Sequence, residues 1–317
     1  MAAGILPCPY CGASVEWHGE AVLTCPYCGT AFTRGGEIGE HLMGSVNYDP
    51  GAIFGVFKQW ALRIPETPND FVEAARLGPC RLEFHPYWVY VVKGTFRYSE
   101  SYAPPPLLVP TLPIQEESFA LAGGLEEASA VVTVPAYRRD REGPLGRIRL
   151  SPAGKVYFSY RRVAQAGGLL INPDVPPEEA DREALVAAAR YVGEVLGRRY
   201  GRPTPAELVE VKELTRRLVH HPVYSCVYEY QGRTYRLLAD ASDSRVLYAE
   251  IPVEAKFRYA ATAAAAVSFA LAVAALLAAG VAPAFSLVSA AGLLTTGLYC
   301  VYRAARRVLV QREFYAT

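Results

Sequence analysis

The sequence predicts an α+β protein in three parts: a small cysteine-rich unit, a β-rich middle domain with an inserted helical pair, and a C-terminal transmembrane helical hairpin. Three observations predict this organisation. The pentapeptide CPYCG occurs twice in the first thirty residues, aromatic and β-branched residues alternate through the middle, and two long uncharged runs lie near the end. The predicted boundaries are 1–33 for the cysteine-rich unit, 34–78 for connecting helices, 79–255 for the β-rich domain (with its helical insertion at 177–218), and 256–317 for the hairpin and a short cytosolic tail.

Composition argues against a strongly charged binding protein. The 317 residues carry a formal net charge of +1, so no overall field attracts the chain to nucleic acid. Arginine outnumbers lysine by 27 to 5, whereas asparagine (3) and glutamine (5) are scarce; few thermolabile residues are typical of a thermophile. The first residues do not resemble a secretory signal, so we expect cytosolic, reduced cysteines that bind metal.

The CPYCG copies place four cysteines in two C-x-x-C pairs, with thirteen residues between the pairs. Each pair fits a tight turn that directs two sulfurs to one point, and two such turns close a tetrahedral four-sulfur site. Proline favours the turn, and the glycine after it permits a left-handed backbone. Residues 14–17 and 21–24 alternate like the two strands of a hairpin between the turns. The predicted metal ligands are Cys8, Cys11, Cys25 and Cys28.

This pattern resembles the zinc-ribbon family at both CPYCG knuckles. The resemblance implies one structural zinc ion; iron in a rubredoxin-like site is the alternative metal. Four sulfur ligands leave no open coordination position, so we expect a structural rather than a catalytic metal. A more general resemblance, carried mainly by the stretch His85-Pro86-Tyr87-Trp88, is to uncharacterised prokaryotic zinc-ribbon proteins anchored in membranes. It implies no particular activity.

The uncharged runs 259–279 and 284–301 are each long enough to cross a bilayer as a helix. Two buried helices of a soluble core are the alternative. Basic residues flank the pair on its outer ends, so the positive-inside rule predicts a two-span protein of the cell membrane with both termini in the cytosol. The flanking residues are Lys256, Arg258, Arg303, Arg306, Arg307 and Arg312.

Small residues recur at helical spacing in both runs, which favours close packing of the spans on each other or in a homo-oligomer. These residues are Ala266, Ala270, Ala274 and Ala278 in the first run, and Gly292, Thr296 and Cys300 in the second.

The middle of the chain mixes the two periodicities. Helical spacing predicts helices at 51–63 and 69–77, and alternation predicts a β-hairpin at 82–98 with its turn near Gly94. Similar patterns predict hairpins at 146–160, 219–238 and 234–253. The proline-rich stretch 103–115 predicts an extended connector. The helical pair is predicted at Glu178–Arg199 and Thr204–Leu218, the second helix beginning with a capping sequence.

No catalytic motif is present, and we expect each histidine to be structural. The three remaining cysteines, Cys80, Cys226 and Cys300, are expected to be small buried thiols. A Cys/His couple that pairs Cys80 or Cys226 with His85 or His221 remains an alternative. No catalytic and no cofactor-binding residue is therefore predicted.

Arginines and tyrosines are concentrated at 138–162. They suit a solvated, salt-bridged face, a nucleic-acid surface or a contact with anionic lipids.

These features favour a non-enzymatic, membrane-anchored adaptor that presents a cytosolic surface to a protein partner. One alternative is a tether that holds nucleic acid or ribosomes at the membrane. The other is an accessory subunit of a larger membrane complex.

Overall fold

The computed structural model describes residues 4–99, 123–151, 153–201, 203–277, 283–305 and 308–314. Helices and strands both contribute, as an α+β fold requires, and most strands of the described part belong to one nine-stranded sheet. The predicted connector 103–115 lies outside the described residues. The helices are α1 (Pro50–Ala61), α2 (Phe71–Ala74), α3 (Tyr160–Gln165), α4 (Pro177–Tyr200), α5 (Ala255–Leu277) and α6 (Pro283–Ala305).

Most strands are short, but two run for more than twenty residues. They are β1 (Gly4–Pro7), β2 (Ser14–Trp17), β3 (Leu23–Thr24), β4 (Ala31–Thr33), β5 (Gly36–Glu37), β6 (Glu40–Met43), β7 (Arg76–Ser99), β8 (Gly123–Pro135), β9 (Val156–Tyr157), β10 (Leu169–Leu170), β11 (Ala206–Tyr230), β12 (Arg233–Asp240), β13 (Val246–Pro252) and β14 (Val308–Phe314).

The chain forms two compact units, each built from two stretches of sequence. Unit 1 combines residues 1–46 with 82–223, and unit 2 combines 47–81 with 224–317. The long strands β7 and β11 contribute residues to both. The sequence predicted four consecutive segments, whereas each unit combines two stretches that are distant in the sequence. The predicted boundaries therefore stay predictions.

The core of unit 1 lies between α4 and the antiparallel pair β7–β8. Helix α4 presents a small-residue face at every fourth position, formed by Ala180, Ala184 and Ala188, all fully buried. Small side chains bring the helix close to the strands. Large aromatic side chains of β7, including the fully buried Trp88 and Tyr90, complete the core.

Gly94 is not at a turn, so the predicted hairpin within 82–98 is wrong. Residues 76–99 form the single strand β7, and its antiparallel partner is β8. A Cβ atom at Gly94 would overlap the carbonyl oxygen of Glu210. The glycine is required by the close approach of a neighbouring backbone, which is the other common cause of glycine inside a strand.

The second helix of the predicted insertion, Thr204–Leu218, is also wrong. Helix α4 matches the first predicted helix, but residues 206–230 form strand β11. Helix propensities differ by only about 0.7 kcal/mol per residue among ordinary residues. Pairing along β7 satisfies the backbone hydrogen bonds of β11 over many residues, and this outweighs the capping sequence and the helix-forming residues of this stretch.

Unit 2 packs α1 and α2 on aromatic side chains of β11. Asp49 caps α1, because its side chain accepts a hydrogen bond from the Ala52 N–H at 3.0 Å. The Phe57 ring lies 5.9 Å from that of Phe71 and 5.5 Å from that of Tyr228. The helix predicted at 51–63 is therefore confirmed, whereas the one predicted at 69–77 is reduced to the single turn of α2.

The hairpins predicted at 219–238 and 234–253 are confirmed, but the one predicted at 146–160 is wrong, because β9 pairs with β6 instead. Strand β11 turns at Gln231 and Gly232, whose φ angles of 49° and 70° are both left-handed. A two-residue turn with this backbone matches the twist of an antiparallel pair. Strands β12 and β13 then pair antiparallel, and β13 pairs with β14.

A disulfide joins Cys80 of β7 to Cys226 of β11 inside unit 2. The expectation of two buried thiols is therefore wrong, and so is the alternative in which one of them forms a Cys/His couple. The two residues are 146 positions apart, so no local spacing could reveal the bond.

Within the described residues, one helix is long and apolar enough to cross a membrane. This helix is α5, with a mean hydropathy of 2.2 in its most apolar window, of which 17% is buried. Apolar side chains such as Val267, Leu271 and Leu277 are exposed along it. The fold therefore leaves the apolar surface of α5 largely uncovered.

Helices α5 and α6 pack on each other, but not through the predicted small-residue stripes. The buried residues of α5 are Ala265, Ser268 and Ala272. Gly297 of α6 lies against the Phe269 ring. The predicted residues of α5 that the structure describes are exposed, as are Gly292 and Thr296, because the packing face is rotated by one position from the predicted one.

Both ends of the α5–α6 pair return to the same place in unit 2. Strand β13 ends at Pro252, three residues before α5, and Pro252 pairs with Val308, the first residue of β14. The Arg258 Nε donates to the Ala304 carbonyl at 3.2 Å. The predicted short tail is thus replaced over residues 308–314 by a sheet strand.

Candidate metal centre

The two CPYCG sequences form turns with the same backbone hydrogen bonds. In the first, the Cys8 N–H donates to the carbonyl of Ala13 at 2.8 Å, and the Gly12 N–H donates to that of Cys8 at 2.9 Å. In the second, the Cys25 N–H donates to Thr30 and the Gly29 N–H to Cys25, both at 2.9 Å. Gly12 and Gly29 have φ angles of 72° and 79°, which explains the repeated glycine.

Each knuckle joins two strands of its own small sheet. The first lies between β1 and β2, and the second lies between β3 and β4. The predicted hairpin of 14–17 with 21–24 is therefore wrong, because β2 and β3 belong to different sheets. In each small sheet the two paired strands flank the turn that carries the cysteines. Each strand pair therefore positions two of the four ligands.

The four predicted ligands converge on one point. Their sulfur atoms all lie within 4.8 Å of one another, and the cluster comprises Cys8, Cys11, Cys25 and Cys28. The Sγ atoms of Cys8 and Cys28 are 3.6 Å apart, and those of Cys11 and Cys25 are 3.7 Å apart. Metal–sulfur bonds of about 2.3 Å in a tetrahedron place two sulfurs about 3.8 Å apart. The arrangement fits a metal ion with four sulfur ligands and is compatible with a zinc-ribbon-like site.

The surroundings of the sulfurs affect their ionisation in different directions. Burial raises the pKa of the Cys25 thiol. Burial also opposes ionisation of Cys28, but the hydrogen bond with the Thr30 hydroxyl, at 3.2 Å, and that with its backbone lower the pKa of Cys28 to about 6. Four thiolates this close repel one another, and a divalent cation removes that repulsion.

The knuckles leave two aromatic side chains on the surface. Tyr10 and Tyr27 occupy the same position of the two CPYCG sequences and are 74% and 75% exposed. The small core beneath them contains Val15, Trp17 and Phe32. The tyrosines do not contribute to this core, so most of each ring is exposed to solvent.

Two histidines in close polar contact connect the second knuckle to strand β11 within unit 1. The His41 Nδ1 donates to the Gly29 carbonyl at 2.7 Å, and the His220 Nε2 donates to that of Ile171 at 3.1 Å. The His41 Nε2 and the His220 Nδ1 lie 2.9 Å apart. In its neutral form each ring carries one proton, and that proton is on the nitrogen that faces the carbonyl. A hydrogen bond between the two rings would therefore require one ring to be protonated. Burial opposes this protonation, because it lowers the pKa of His41 to about 4 and that of His220 well below its usual value.

His85 contacts two carboxylates. Its Nδ1 lies 2.8 Å from Asp140 and its Nε2 lies 3.3 Å from Glu83. Both ring nitrogens are therefore engaged by acidic side chains of unit 1, as in a structural histidine.

Three arginines of the 138–162 cluster are paired with carboxylates of α4. Arg138 and Arg141 both contact Glu179, at 2.6 and 2.9 Å, and Arg149 contacts Glu194 at 3.2 Å. This part of the cluster is a salt-bridged face, the first of the three interpretations that the sequence allowed.

Sequence reasoning found the four sulfurs and missed the two histidines that support them. His41 and His220 are 179 positions apart, so no local pattern indicates the contact. The partner of His220, His41, lies on β6.

No protein-family model, no curated protein and no solved structure matches this chain. The resemblance to zinc ribbons is therefore carried by the geometry of the cysteine cluster alone.

Proposed function

We propose that this chain is a non-enzymatic, membrane-anchored adaptor whose ribbon presents a surface to a protein partner in the cytosol. The observation that carries the proposal is the exposed apolar surface of α5, together with a metal site closed by four sulfurs. An uncovered apolar helix of this length needs a bilayer or a partner. A site without an open coordination position provides structure rather than chemistry.

The proposed anchor is a hairpin in which both α5 and α6 span the membrane. The return of both helix ends to β13 and β14 supports this topology, because a hairpin with adjacent ends enters and leaves on one side. Lys256, Arg258 and Arg303 lie at that side, which the positive-inside rule places in the cytosol. A cysteine introduced by Gly280→Cys, in a chain with Cys300→Ser, should react with a membrane-impermeant maleimide only from the outside of intact cells.

We propose zinc as the metal. Metal analysis of protein purified without added metal should give one zinc per chain. A rubredoxin-like iron site would instead give a coloured protein with iron–thiolate absorption. The Cys80–Cys226 disulfide fits a cytosolic protein of a hyperthermophile, because intracellular disulfides are common in such organisms.

A crosslinked pull-down from native membranes, with and without nuclease, tests the adaptor function. Wild type should recover a discrete protein partner that survives nuclease. The variant Cys25→Ser should lose it, and the matched variant Cys300→Ser should retain it. Substrate turnover by the purified protein, or equal recovery with both variants, contradicts the proposal. A detergent-solubilised particle far heavier than 34.6 kDa would instead support an accessory subunit.

A nucleic-acid tether is the second candidate. Arg161 and Arg162 lie on α3, and neither side chain has an ion pair with a described residue. The α3 residue Tyr160 donates to the Thr24 carbonyl at 3.1 Å, so this basic helix lies beside the second knuckle. The tether predicts RNA binding that weakens steeply with salt, and a flat salt response contradicts it.

A further inference from the structure

Unit 2 contains a polar pocket of about 570 Å³ at the first turn of α5. Three segments surround it: the residues before α2, the turn between β11 and β12, and the junction of β13 with α5. This volume is within the range of small-molecule sites. The side chains that matter here are Asp70, Tyr230, Gln231, Arg233, Glu254 and Arg258.

The acidic side chains of this pocket already have donors. Asp70 accepts a hydrogen bond from the Tyr230 hydroxyl at 2.6 Å, and the Gln231 Nε2 lies 3.5 Å from its other oxygen. Glu254 forms an ion pair with Lys256 at 2.6 Å. Both carboxylates are therefore engaged within the protein, and their charge is partly compensated.

The two arginines retain donors for a ligand. Arg258 uses its Nε on the Ala304 carbonyl, so its two terminal nitrogens remain for another acceptor. Arg233 is exposed and has no hydrogen bond or ion pair with a described residue. A guanidinium group binds phosphate oxygens in a planar, two-point geometry, which lysine does not provide.

We propose that this pocket binds the phosphate group of an anionic lipid headgroup through Arg233 and Arg258. The inference rests on the proposed insertion of α5, because Arg258 belongs to its first turn and thus lies at the level of the headgroups. Basic residues at this level are attracted to the anionic cytoplasmic leaflet. The three segments that surround the pocket distinguish this site from a diffuse basic patch.

The test uses the full-length protein in a neutral detergent, titrated with dihexanoyl phosphatidic acid and separately with inorganic phosphate. Arg233→Gln is the main variant, because it removes no hydrogen bond or ion pair within the described residues. The double variant Arg233→Gln/Arg258→Gln removes both donors. Arg236→Gln is the matched control, since it makes the same charge change three residues away, outside the pocket.

We expect Arg233→Gln to weaken binding of the short-chain lipid about tenfold, as for loss of a charge-assisted contact, and the double variant to weaken it further. The control should bind as wild type does. Tighter binding of the lipid than of phosphate identifies a headgroup. Equal binding of both, with the same loss in the variant, identifies a soluble phosphate ester and overturns the lipid assignment. Equal binding by wild type and Arg233→Gln overturns the site altogether.

Extraction of membranes with alkaline carbonate tests the proposed membrane anchor independently of the proposed lipid site. If α5 is not inserted, wild type is extracted whatever it binds. If the anchor is correct and the pocket is not a site, every variant stays in the membrane and no variant differs in lipid affinity.

Discussion

The cysteines of unit 1 form a cluster that could hold a metal ion, whereas two of those in unit 2 form a disulfide. In unit 1 four sulfurs from two adjacent turns converge on a metal position, within a stretch whose own core is small. In unit 2 two sulfurs join long strands that already pack on a cluster of aromatic rings. We therefore expect the ribbon (residues 4–33) to depend on a bound metal to fold, and the disulfide to add stability to a core that exists without it. Four predictions test this contrast, from the largest expected effect to the smallest.

Removal of the metal should unfold the ribbon and leave unit 2 folded. Structural zinc contributes about 10 kcal/mol or more in small metal-dependent units. The variant Cys25→Ser, or treatment with a strong chelator, should abolish metal binding and expose residues 4–33 to protease. Metal content and limited proteolysis measure the effect, with Cys300→Ser as the control. Cleavage of unit 2 at the same rate as the ribbon would show that the units are not independent in this respect.

Loss of the disulfide should destabilise unit 2 without affecting the metal. Closing a loop of this length stabilises a protein by roughly 5 kcal/mol in the chain-entropy description. The double variant Cys80→Ser/Cys226→Ser should lower the free energy of unfolding by that amount in urea titrations. Metal content should stay at one per chain. A lower metal content in this variant would contradict the separation of the two roles.

Lowering the pH should decrease the free energy of unfolding of unit 1, because His41 takes up a proton when the chain unfolds. Its folded-state pKa is lowered to about 4 by burial, so between that value and about 6.5 the unfolded chain binds more protons. Stability is therefore complete above pH 6.5 and falls as the pH decreases, by up to about 3 kcal/mol. The variant His41→Gln should show a smaller loss between pH 6.5 and 4 than wild type. An unchanged pH dependence would mean that other groups dominate acid unfolding.

Replacing the hydroxyl beside Cys28 should have the smallest effect. Thr30→Val removes the 3.2 Å contact with the sulfur, and outer contacts of this kind typically change metal affinity about tenfold or more. Competition with a chromogenic chelator measures the change. Thr33→Val, on the next strand and bonded to the turn that follows β4, is the control and should bind metal normally.

The sequence allowed the ribbon site to be predicted because its ligands obey a short-range rule. CPYCG specifies a turn, a spacing and a left-handed glycine, so both knuckles and all four sulfurs could be placed without knowing the rest of the fold. The hairpin turn at Gln231 and Gly232 and the helix at Pro50–Ala61 were predictable for the same reason. In each of them the decisive contacts lie within a few residues.

Long-range contacts account for what could not be predicted. The capping sequence at Thr204 favours a helix, but pairing with β7 decides the outcome. Gly94 resembles a turn residue until the neighbouring backbone is known. The Cys80–Cys226 bond and the contact between His41 and His220 each join residues more than a hundred positions apart. Their partners are set by the order of strands in a sheet, which local periodicity does not specify.

The pairing of β14 with β13 has a consequence for the order of events during synthesis. Strand β13 leaves the ribosome before α5 and α6, whereas the strand that covers its edge emerges only after both. In the meantime this edge offers unpaired backbone groups to other chains. The sheet of unit 2 can therefore be completed only after translation has passed both helices. Chains that end before residue 308 should aggregate at this edge even when every residue of the ribbon is intact.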